Sequence, residues 1–487
     1  MNNSQYSKGN QEKGLTPITS PWMHDIMNHP KVVDELFKRF GSPLNILHPA
    51  SFAKNCTRFK EVFQNHDIKF GIFYARKANK AKAFVKQAFI ENIGVDTASE
   101  RELLQSLQLG GDGDHLVLTS AIKTKEQVKT ALQNNVPIVL DNDDECVLVN
   151  DLAEKNNCKA RVAFRLSGFY VNKKKLYSRF GFDIDDIEEY LMKHVGKDKK
   201  YNNFKVEGLH FHLDGYSTRQ RSEALLHCIS LIQKLRENDF SFRFIDMGGG
   251  ILINYLKHKE EWLNFDVRLK ESLKGKISPI TFNNNGLGYR FEDGIIKGDR
   301  KTYPYFNEIN SDKFLEEILK YSDQNGSSVA SLLQKENIEI RIEPGRSLVN
   351  QSGITMARVV HRKKDAKGQW LIGLEMNMSQ MMSSSADFML DPFVMYANLD
   401  QDKTEEKSVD VYFTGAYCLE RDVLLKRKVT LPKLPEIGDV VVFVNTAGYM
   451  MHFFETQAHL FELAPNLVYT ETSKSLKFAD FKLDTDN

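Results

Sequence analysis

From about residue 68, short apolar runs alternate with longer stretches of helical periodicity, and this alternation most restricts how the chain can fold. The apolar runs lack the polar alternation of a sheet that faces water, which indicates buried parallel strands covered by helices. Eight such units in succession favour closure into a TIM-type (β/α)8 barrel over a doubly wound open sheet. The predicted strands begin near Ile68, Asn92, His115, Val136, Ala160, Val206, Ser241 and Ile338.

The character of the sequence changes after Arg346. Segments such as VTLPKLPEIGDVVVFVNTAGY combine Val and Thr with turn residues, which is typical of antiparallel strands. We therefore predict an α/β chain, with the barrel followed by a C-terminal antiparallel β domain. The predicted parts are an N-terminal arm and helix (1–40), a barrel (41–349) with an insertion near 251–337, and a β domain (350–487) that also takes a strand from about 42–48.

Two segments carry no clear periodicity. We expect the polar residues before Pro21 to form a disordered or loosely docked arm. We expect the insertion to be a long irregular loop before a helix in SSVASLLQKEN, and loops of that length are usually functional or partly disordered.

Composition and charge exclude several functional classes. A net charge of +1 over 487 residues argues against nucleic acid or a membrane surface as a partner. No apolar run approaches the ~20 residues of a membrane span, and the N-terminus lacks the apolar segment of a secretory signal. The five cysteines show no paired spacing, so we predict neither a disulfide framework nor a zinc site and expect a reducing cytoplasm.

Barrel enzymes carry their chemistry at the carboxyl ends of the strands, and several polar features fall there. Lys77 ends the first strand, where a lysine can attach to an aldehyde cofactor, although a solvated rim lysine is the commoner outcome. Gly248–Gly250 end the seventh strand, where consecutive amides can surround an anion, although a tight turn also needs glycine.

The ends of the sixth and eighth strands add four further side chains. Glu343 could face a ring nitrogen and Arg346 could bind phosphate, although the two could also form an ion pair in a turn. His212 could stack on a flat ring, and His210 lies two positions earlier on the same face. The two histidines could begin a metal site, but no third ligand has matching spacing, and we predict no metal. Together these features describe an aromatic cofactor with an aldehyde and a phosphate.

Motifs of this chain resemble the fold-type III PLP-dependent decarboxylases, the group of diaminopimelate, ornithine and arginine decarboxylases. The resemblance extends from about Ser42 to about Phe461, with a gap over the insertion. The matching stretches are SPLNIL, FYARKANK, VDTASERELL, SRFGF, GLHFH, DMGGG, IEPGR, TGAYCLERDVLL and AGYMMHFF.

The resemblance implies that the cofactor is pyridoxal 5′-phosphate (PLP). Lys77 would bind it covalently, His212 would stack on its pyridine ring and Glu343 would pair with the ring nitrogen. The three glycines, Arg346 and Tyr449 would bind its phosphate. The implied cofactor-binding positions are Lys77, Asp96, Arg165, His212, Gly248, Gly249, Gly250, Glu343, Arg346 and Tyr449.

The resemblance also implies how the reaction proceeds. Loss of CO2 from an amino acid leaves a carbanion, for which the protonated pyridine is the electron sink. Cys418 would be the proton donor, supplied across the interface of a homodimer that shares its active sites. The implied substrate-binding positions are Arg179, Leu419, Glu420 and Asp422.

Two departures from the family pattern bear on the substrate and on the phosphate. The family usually places an acid after the cysteine to bind the distal ammonium of a diamino acid, and here that position is Leu419. Because an unpaired buried charge is costly, we predict a capped distal amine, as in citryl-ornithine of siderophore biosynthesis. The serine of the family's His-(Ile/Val)-Gly-Ser is also absent from His212–Gly215, and Tyr216 or Ser217 could substitute.

Other readings remain open at the sequence level. The chain could decarboxylate a free diamino acid such as diaminopimelate, ornithine, lysine or arginine, with Glu420 or Asp422 binding the ammonium. It could also be a PLP-binding or regulatory homologue without catalysis, although Lys77 and Cys418 are both present. Glu343 and Cys418 argue against a racemase related to alanine racemase.

Overall fold

The structure is a computed structural model that describes residues 6–383, 388–397, 408–472 and 475–485. The chain divides into two compact units. The barrel unit comprises residues 53–252 and 309–348, and the β unit comprises residues 1–52, 253–308 and 349–487. Within the described residues, no helix is both long and apolar enough to cross a membrane.

Eight parallel strands form the closed barrel that the sequence predicts. Each pairs with its sequence neighbours, and the ring closes where the last strand pairs with the first, with Ile340 opposite Phe70. The barrel strands, numbered 1 to 8 below, are Phe70–Ala75, Gly94–Thr97, Leu116–Leu118, Ile138–Leu140, Ala160–Ser167, Phe204–His210, Phe244–Asp246 and Glu339–Ile342.

Large apolar side chains fill the barrel, so its interior is a packed core and not a channel. One such cluster, buried to at least 95%, consists of Phe73, Val117, Val139, Ala163 and Phe244. Because burying one large apolar side chain stabilises a fold by roughly 1.5–3 kcal/mol, this layer holds strands from all round the ring together.

Helices follow the strands, and capping residues define where they start. Ser99 accepts a hydrogen bond from the Glu102 amide at 3.2 Å, which confirms the predicted cap, and Thr124 forms a full capping box with Gln127. The barrel-unit helices are Lys82–Ile90, Glu100–Gln108, Lys125–Gln133, Asp143–Lys155, Ile187–His194, Thr218–Arg236, Ser311–Lys320 and Val329–Lys335, and helix Pro49–Asn65 leads into them. Short strands of the same unit are Tyr170–Val171, Lys174–Lys175 and Phe182–Asp183.

The β unit contains a ten-stranded, mostly antiparallel sheet. Two of its pairs are parallel, Trp370–Leu374 with Val409–Thr414 and Leu44–Leu47 with Asn466–Tyr469. Its strands are Tyr6–Lys8, Leu44–Leu47, Gly353–Lys364, Trp370–Leu374, Phe393–Met395, Val409–Thr414, Val429–Leu431, Val440–Val444, Asn466–Tyr469 and Phe481–Leu483. The unit also holds helices Pro21–Met27, Pro30–Phe40 and Lys259–Leu273 and the hairpin of Arg290–Glu292 with Ile295–Lys297.

The insertion differs from its prediction in structure and in location. It contains the helices Lys259–Leu273 and Ser311–Lys320 where the sequence predicts an irregular loop, and its residues 253–308 belong to the β unit. The overlooked signal is the spacing of Trp262, Phe265 and Leu269, which puts three buried side chains on one helix face.

The N-terminal arm is ordered from its first described residue, so the prediction of a loose arm is wrong over residues 6–20. Tyr6–Lys8 pair with Phe393–Met395 as an edge strand of the sheet. The buried carboxylate of Asp391 accepts hydrogen bonds from Asn10 Nδ2 at 2.8 Å and from the Leu15 amide at 2.6 Å. Polar composition suggested disorder, but a distant acid satisfies these polar groups.

Candidate active site

Lys77 lies in a single 3-10 turn directly after strand 1. Its Nζ donates a hydrogen bond to Asp96 Oδ2 at 2.9 Å, and the Thr119 hydroxyl donates to the other oxygen of Asp96. Asp96 is fully buried, whereas the Lys77 side chain is 34% exposed. Burial and then the charge of Glu343 raise the pKa of Asp96, while Lys77 acts against that rise. A buried carboxylate thus positions a lysine amine that stays accessible at the barrel mouth.

Glu343 follows strand 8 and belongs to a buried cluster of three titratable groups. Its Oε1 lies 3.2 Å from His210 Nε2, and its carboxylate, the His210 imidazole and the Asp246 carboxylate lie within 4.8 Å of one another. Burial raises the pKa of both acids, and the charge of Glu343 raises that of Asp246 further. Burial also lowers the pKa of His210, which therefore favours a neutral ring that donates from Nε2.

The same cluster corrects the prediction that the histidines have no further metal-ligand neighbours. Two carboxylates and an imidazole can in principle hold a metal ion, and the sequence showed no third ligand for the histidine pair. The structure gives His210 two carboxylate neighbours, Glu343 and Asp246, from other strands, whereas His212 is not part of the cluster. Asp246 Oδ1 already accepts the Gly248 amide at 2.9 Å.

The loop Gly248–Gly250 has no room for side chains. A Cβ on Gly249 would lie 2.5 Å from the carbonyl oxygen of Glu343, and a Cβ on Gly250 would lie 2.2 Å from Arg221 Nη2. Gly248 and Gly250 also have φ angles of +67° and +79°, where side chains are disfavoured. The bare backbone between strands 7 and 8 fits the close approach of a phosphate group, and the buried Arg346 lies three residues after Glu343.

Arg221 supports this loop and was missed by the sequence reading. Its guanidinium is fully buried and donates to the carbonyl oxygens of Gly215 at 3.0 Å, Gly249 at 3.2 Å and Ser217 at 3.2 Å. Burial lowers the pKa of Arg221 to about 10, opposed by Asp214, so the side chain stays cationic at neutral pH. Arg221 therefore ties the loop after strand 6 to the glycine loop. Nothing in the sequence separates this arginine from others on helix faces.

The loop after strand 6 also bears on the missing phosphate serine. His212 is half-buried, and burial and then the charge of Lys77 lower the pKa of its ring, which favours the neutral form suited to stacking. The Ser217 hydroxyl oxygen accepts the Gln220 amide at 3.2 Å as a helix cap, whereas Tyr216 is exposed. As a cap Ser217 only accepts, so its hydroxyl can still donate to a phosphate oxygen.

Arg165 and Arg179 sandwich one aromatic ring. The guanidinium carbon of Arg165 lies 4.2 Å from the centroid of Phe180, and that of Arg179 lies 3.8 Å from it. Arg165 Nε is 3.9 Å from Asp141 Oδ1, which also accepts the Gly181 amide at 3.0 Å. The positive charge of Arg165 acts on the cluster of His210, Asp246 and Glu343, since it opposes the rise in the pKa of Glu343. Arg179 is exposed and packs on Phe180.

The remaining predicted site residues belong to the β unit. Cys418, Leu419 and Glu420 are exposed on the loop after strand Val409–Thr414. Asp422 is buried and accepts the amides of Met378 at 2.8 Å and Tyr417 at 2.7 Å through its two oxygens. The carboxylate of Asp422 thus holds the loop that carries Cys418, and its predicted substrate-binding role stays a prediction.

Tyr449 completes the predicted set. It is half-buried in the β unit and adopts a left-handed φ of +62°, an uncommon conformation for an aromatic residue. Its ring packs edge-on against Phe453 at 5.5 Å between centroids. Such local strain is common at functional sites, and the conformation is compatible with the phosphate-binding role that the resemblance implies.

Comparison with known proteins finds decarboxylases among the sequences and structures similar to this chain. The family described as "Pyridoxal-dependent decarboxylase, pyridoxal binding domain" matches residues 50–277. An uncharacterized protein of Sinorhizobium fredii (y4yA) is 28% identical over 451 residues, 92% of each chain, and diaminopimelate decarboxylase of Staphylococcus aureus is 23% identical over 419 residues, 84% of each chain. The structure of diaminopimelate decarboxylase from Methanocaldococcus jannaschii has a TM-score of 0.66 at 20% identity, over 92% of this chain and 90% of that one.

Proposed function

We propose that this chain, whose residues 50–277 match the pyridoxal-binding domain of pyridoxal-dependent decarboxylases, is a fold-type III PLP-dependent decarboxylase. We further propose that it removes the α-carboxyl group of a diamino acid whose distal amine is capped as an amide. When bound, PLP supplies the electron sink for the charge that the departing CO2 leaves behind. The observation that carries the substrate proposal is the exposed Leu419 beside Cys418, together with the engagement of Asp422 by two backbone amides.

The barrel residues fit the cofactor in their chemistry. Lys77 offers an accessible amine, and Asp96 at 2.9 Å fixes where that amine points. The Glu343 carboxylate would hold a proton on the pyridine nitrogen by placing an opposite charge beside it. His210 Nε2 lies 3.2 Å from Oε1 of Glu343 and so holds this carboxyl group in place. His212, with a neutral ring, would pack on the flat face of the cofactor.

Phosphate binding would use backbone amides and cationic side chains. The glycine loop offers backbone amides without side chains, and Arg221 holds that loop by donating to the Gly249 carbonyl at 3.2 Å. We assign Arg346 and Tyr449 to the phosphate as well, since a guanidinium and a phenol both donate to phosphate oxygens.

Cys418 would deliver the proton that replaces CO2. Its thiol is exposed, so Sγ can reach a substrate and hold a proton as a general acid. Transfer of that proton to the α-carbon completes the exchange of a carboxyl group for hydrogen. Asp422 acts as a positioning residue here, because its two bonds to backbone amides shape the loop on which Cys418 lies.

The substrate proposal depends on what faces the distal end of the amino acid. A leucine cannot pair with an ammonium ion, whereas it can pack beside an amide or an alkyl chain. The sequence also suggested that cations of the insertion bind a polycarboxylate. In the structure Lys297 Nζ lies 2.7 Å from Asp293 and Arg300 Nη1 lies 3.1 Å from Asp266, so neither residue supports that part of the hypothesis.

A free diamino acid is the second candidate substrate. Glu420, next to Leu419, is exposed and carries a carboxylate that could bind an ammonium ion. A second carboxylate, Asp214, lines a cavity of about 220 Å³ that His212 also lines. Leu419 nevertheless occupies the family's acid position, and we therefore keep the capped substrate as the first candidate.

We propose a homodimer in the cytoplasm as the working form. The β unit exposes several large apolar side chains in the segments of Cys418 and of residues 453–463, and exposed apolar side chains of this kind often mark protein interfaces. These side chains are those of Leu419, Phe453, Phe454, Leu460, Phe461 and Leu463. All five cysteines are unpaired, which suits a reducing compartment.

The test is CO2 release from citryl-ornithine compared with free ornithine, lysine and diaminopimelate. We expect the capped compound to react and the free diamino acids to react at least tenfold more slowly. Leu419→Asp should reverse that preference by restoring a carboxylate, and Leu263→Asp, an equally exposed change on helix Lys259–Leu273, should not. Faster turnover of free ornithine by the unchanged protein would discard the capped substrate. Failure of every amino acid would favour the non-catalytic reading.

A further inference from the structure

A cationic cavity in the β unit has no role in the proposed decarboxylation. Its volume is about 140 Å³, and its walls come from the N-terminal arm, the insertion and the sheet. We propose that this cavity is a binding site for a small oxyanion with two or more negative charges, of the phosphate or polycarboxylate type.

Backbone hydrogen bonds fix the walls of the cavity. The Phe282 amide donates to the Lys426 carbonyl at 2.7 Å, and the Lys428 amide donates to the Ile280 carbonyl at 3.0 Å, so the insertion is paired with the sheet here. On the opposite wall, the Asn10 amide donates to the Thr430 carbonyl at 2.7 Å. Side chains on these segments are therefore held in place and do not depend on a ligand to bring them together.

The charges that line the cavity do not balance. Four cationic side chains, Lys13, Arg268, Arg427 and Lys428, face a single acid, Asp410. Lys428 Nζ is 3.7 Å from Asp410 Oδ2, a long separation for an ion pair, and Asp410 Oδ1 already accepts the Thr430 hydroxyl at 2.7 Å. An excess of positive charge in a partly enclosed space favours an anion.

The guanidinium groups of Arg268 and Arg427 illustrate this excess of positive charge. Burial and then the charge of Arg427 lower the pKa of Arg268, so the two guanidinium groups repel each other. Within the described residues, Arg268 Nη1 donates a weak hydrogen bond to the Lys13 carbonyl at 3.4 Å. An anion between the two groups would remove the repulsion and accept their N–H groups.

Arg427 also offers a buried donor. Its side chain is 96% buried, and its Nη2 donates to Asp391 Oδ1 at 3.0 Å. Its Nε is buried and has no hydrogen-bond partner among the residues described. Asp391 cannot supply one, since its two oxygens also accept bonds from Lys8, Asn10 and the Leu15 amide. Because Arg427 also lines the cavity, its guanidinium places a buried positive charge in the wall that an anion would face.

The size of the cavity limits the ligand. Ligand sites for drug-sized molecules have volumes of about 300–1,000 Å³, so 140 Å³ excludes a nucleotide or a peptide. The forked donors of guanidinium groups match the oxygen pairs of phosphate and carboxylate, and a lysine adds a point charge. Phosphate and polycarboxylate share this chemistry, and direct titration separates them.

The experiment is calorimetric titration of the PLP-loaded full chain with inorganic phosphate and, separately, with citrate, at constant low ionic strength with chloride as the blank. Use of the loaded protein keeps added phosphate away from the cofactor's own phosphate site. We expect saturable binding of at least one of the two anions. Arg268→Gln should weaken that binding at least tenfold and abolish the increase in Tm that the anion causes. Arg290→Gln removes the same charge from the exposed hairpin and should change neither the anion affinity nor the increase in Tm.

The possible outcomes are distinct from those of the decarboxylation assay. Absence of saturable binding by the unchanged protein, or equal weakening by Arg268→Gln and Arg290→Gln, would overturn the site. Lys428→Gln gives a second variant, because it removes a partly exposed cation without touching the buried Arg427–Asp391 pair. If Lys428→Gln binds as tightly as the unchanged protein, the cavity is not the site of binding. CO2 release does not enter these measurements.

Discussion

Hydrogen bonds made by single buried residues decide the charge at the barrel mouth. His210 donates to Glu343, Asp246 accepts from the glycine loop, and Lys77 pairs with Asp96. The His210–Glu343 and Lys77–Asp96 contacts join titratable groups from different strands, so a change at one of these residues alters the protonation of its partner. Two predictions belong to this scale.

Replacement of His210 should weaken the hold of Glu343 on a cofactor nitrogen. His210→Leu removes the donor at 3.2 Å and leaves a buried carboxylate oxygen unpaired, which costs about 1–3 kcal/mol or roughly 5–150-fold in affinity or rate. We expect weaker PLP binding and a shifted pH dependence of the absorbance of bound PLP. The amide of Gln can donate from nearly the position of Nε2. His210→Gln should therefore restore most of the PLP affinity and most of the original pH dependence. Equal effects of Leu and Gln would show that His210 only fills space.

Asp246 should make the stability of the PLP-free protein depend on pH. Burial and the charge of Glu343 raise the pKa of Asp246, so its contribution to folding is complete below the pKa of the unfolded chain and is lost as the pH rises through the folded pKa. Asp246→Asn keeps an acceptor for the Gly248 amide but does not titrate. We expect the variant to gain stability over the unchanged protein as the pH rises, by about 1.4 kcal/mol for each unit of raised pKa. Denaturant unfolding at several pH values measures this, and a difference independent of pH would contradict it.

At the scale of elements, strands bring the reactive side chains to one end of the barrel and capped helices define the loops between them. The glycine loop shows how strict these positions are. It passes between the carbonyl oxygen of Glu343 and the guanidinium of Arg221, with no space for a methyl group on either side. The insertion is divided instead, since its helix Lys259–Leu273 lies in the β unit and its helices Ser311–Lys320 and Val329–Lys335 lie in the barrel unit.

Gly249→Ala should separate cofactor binding from folding. The new Cβ would lie 2.5 Å from a backbone oxygen that cannot move away easily, so the loop must shift. We expect at least a tenfold loss of PLP affinity, measured by fluorescence titration. Gly326→Ala is the control, because its φ of +81° brings a strain of roughly 1 kcal/mol but no atom lies within 4 Å of the new Cβ. An unchanged affinity in Gly249→Ala would exclude this loop from the phosphate site.

At the scale of the whole molecule, the chain is interleaved: the β unit contains both chain ends and most of the insertion, and the barrel unit lies between them in sequence. Asp391 is the point at which the β unit gathers these distant segments. Its carboxylate is fully buried and binds the arm through Asn10 and the Leu15 amide, and the sheet through Arg427.

Removal of the Asp391 carboxylate should release the arm. Asp391→Ala leaves Arg427 buried without its ion-pair partner, which typically costs about 3–5 kcal/mol. We expect a lower midpoint of unfolding and faster proteolytic cleavage within residues 9–20. Asp293→Ala removes an exposed acid of the same unit and should change neither. If the arm resists protease in Asp391→Ala as it does in the unchanged protein, the edge strand at Tyr6–Lys8 is sufficient to hold it.

Local patterns in the sequence determined the eight strands, the Ser99 cap, the β domain and the motifs at the strand ends, because each depends on residues close together in the chain. The tertiary structure alone decided the partners of the site residues. His210 and Glu343 are 133 positions apart, Arg221 reaches a loop 28 positions away, and Asp422 turns out to bind backbone amides. The arm and the insertion differ from their predictions for the same reason. Whether a segment is ordered depends on the residues that contact it in space. A single sequence does not show which distant residues those are.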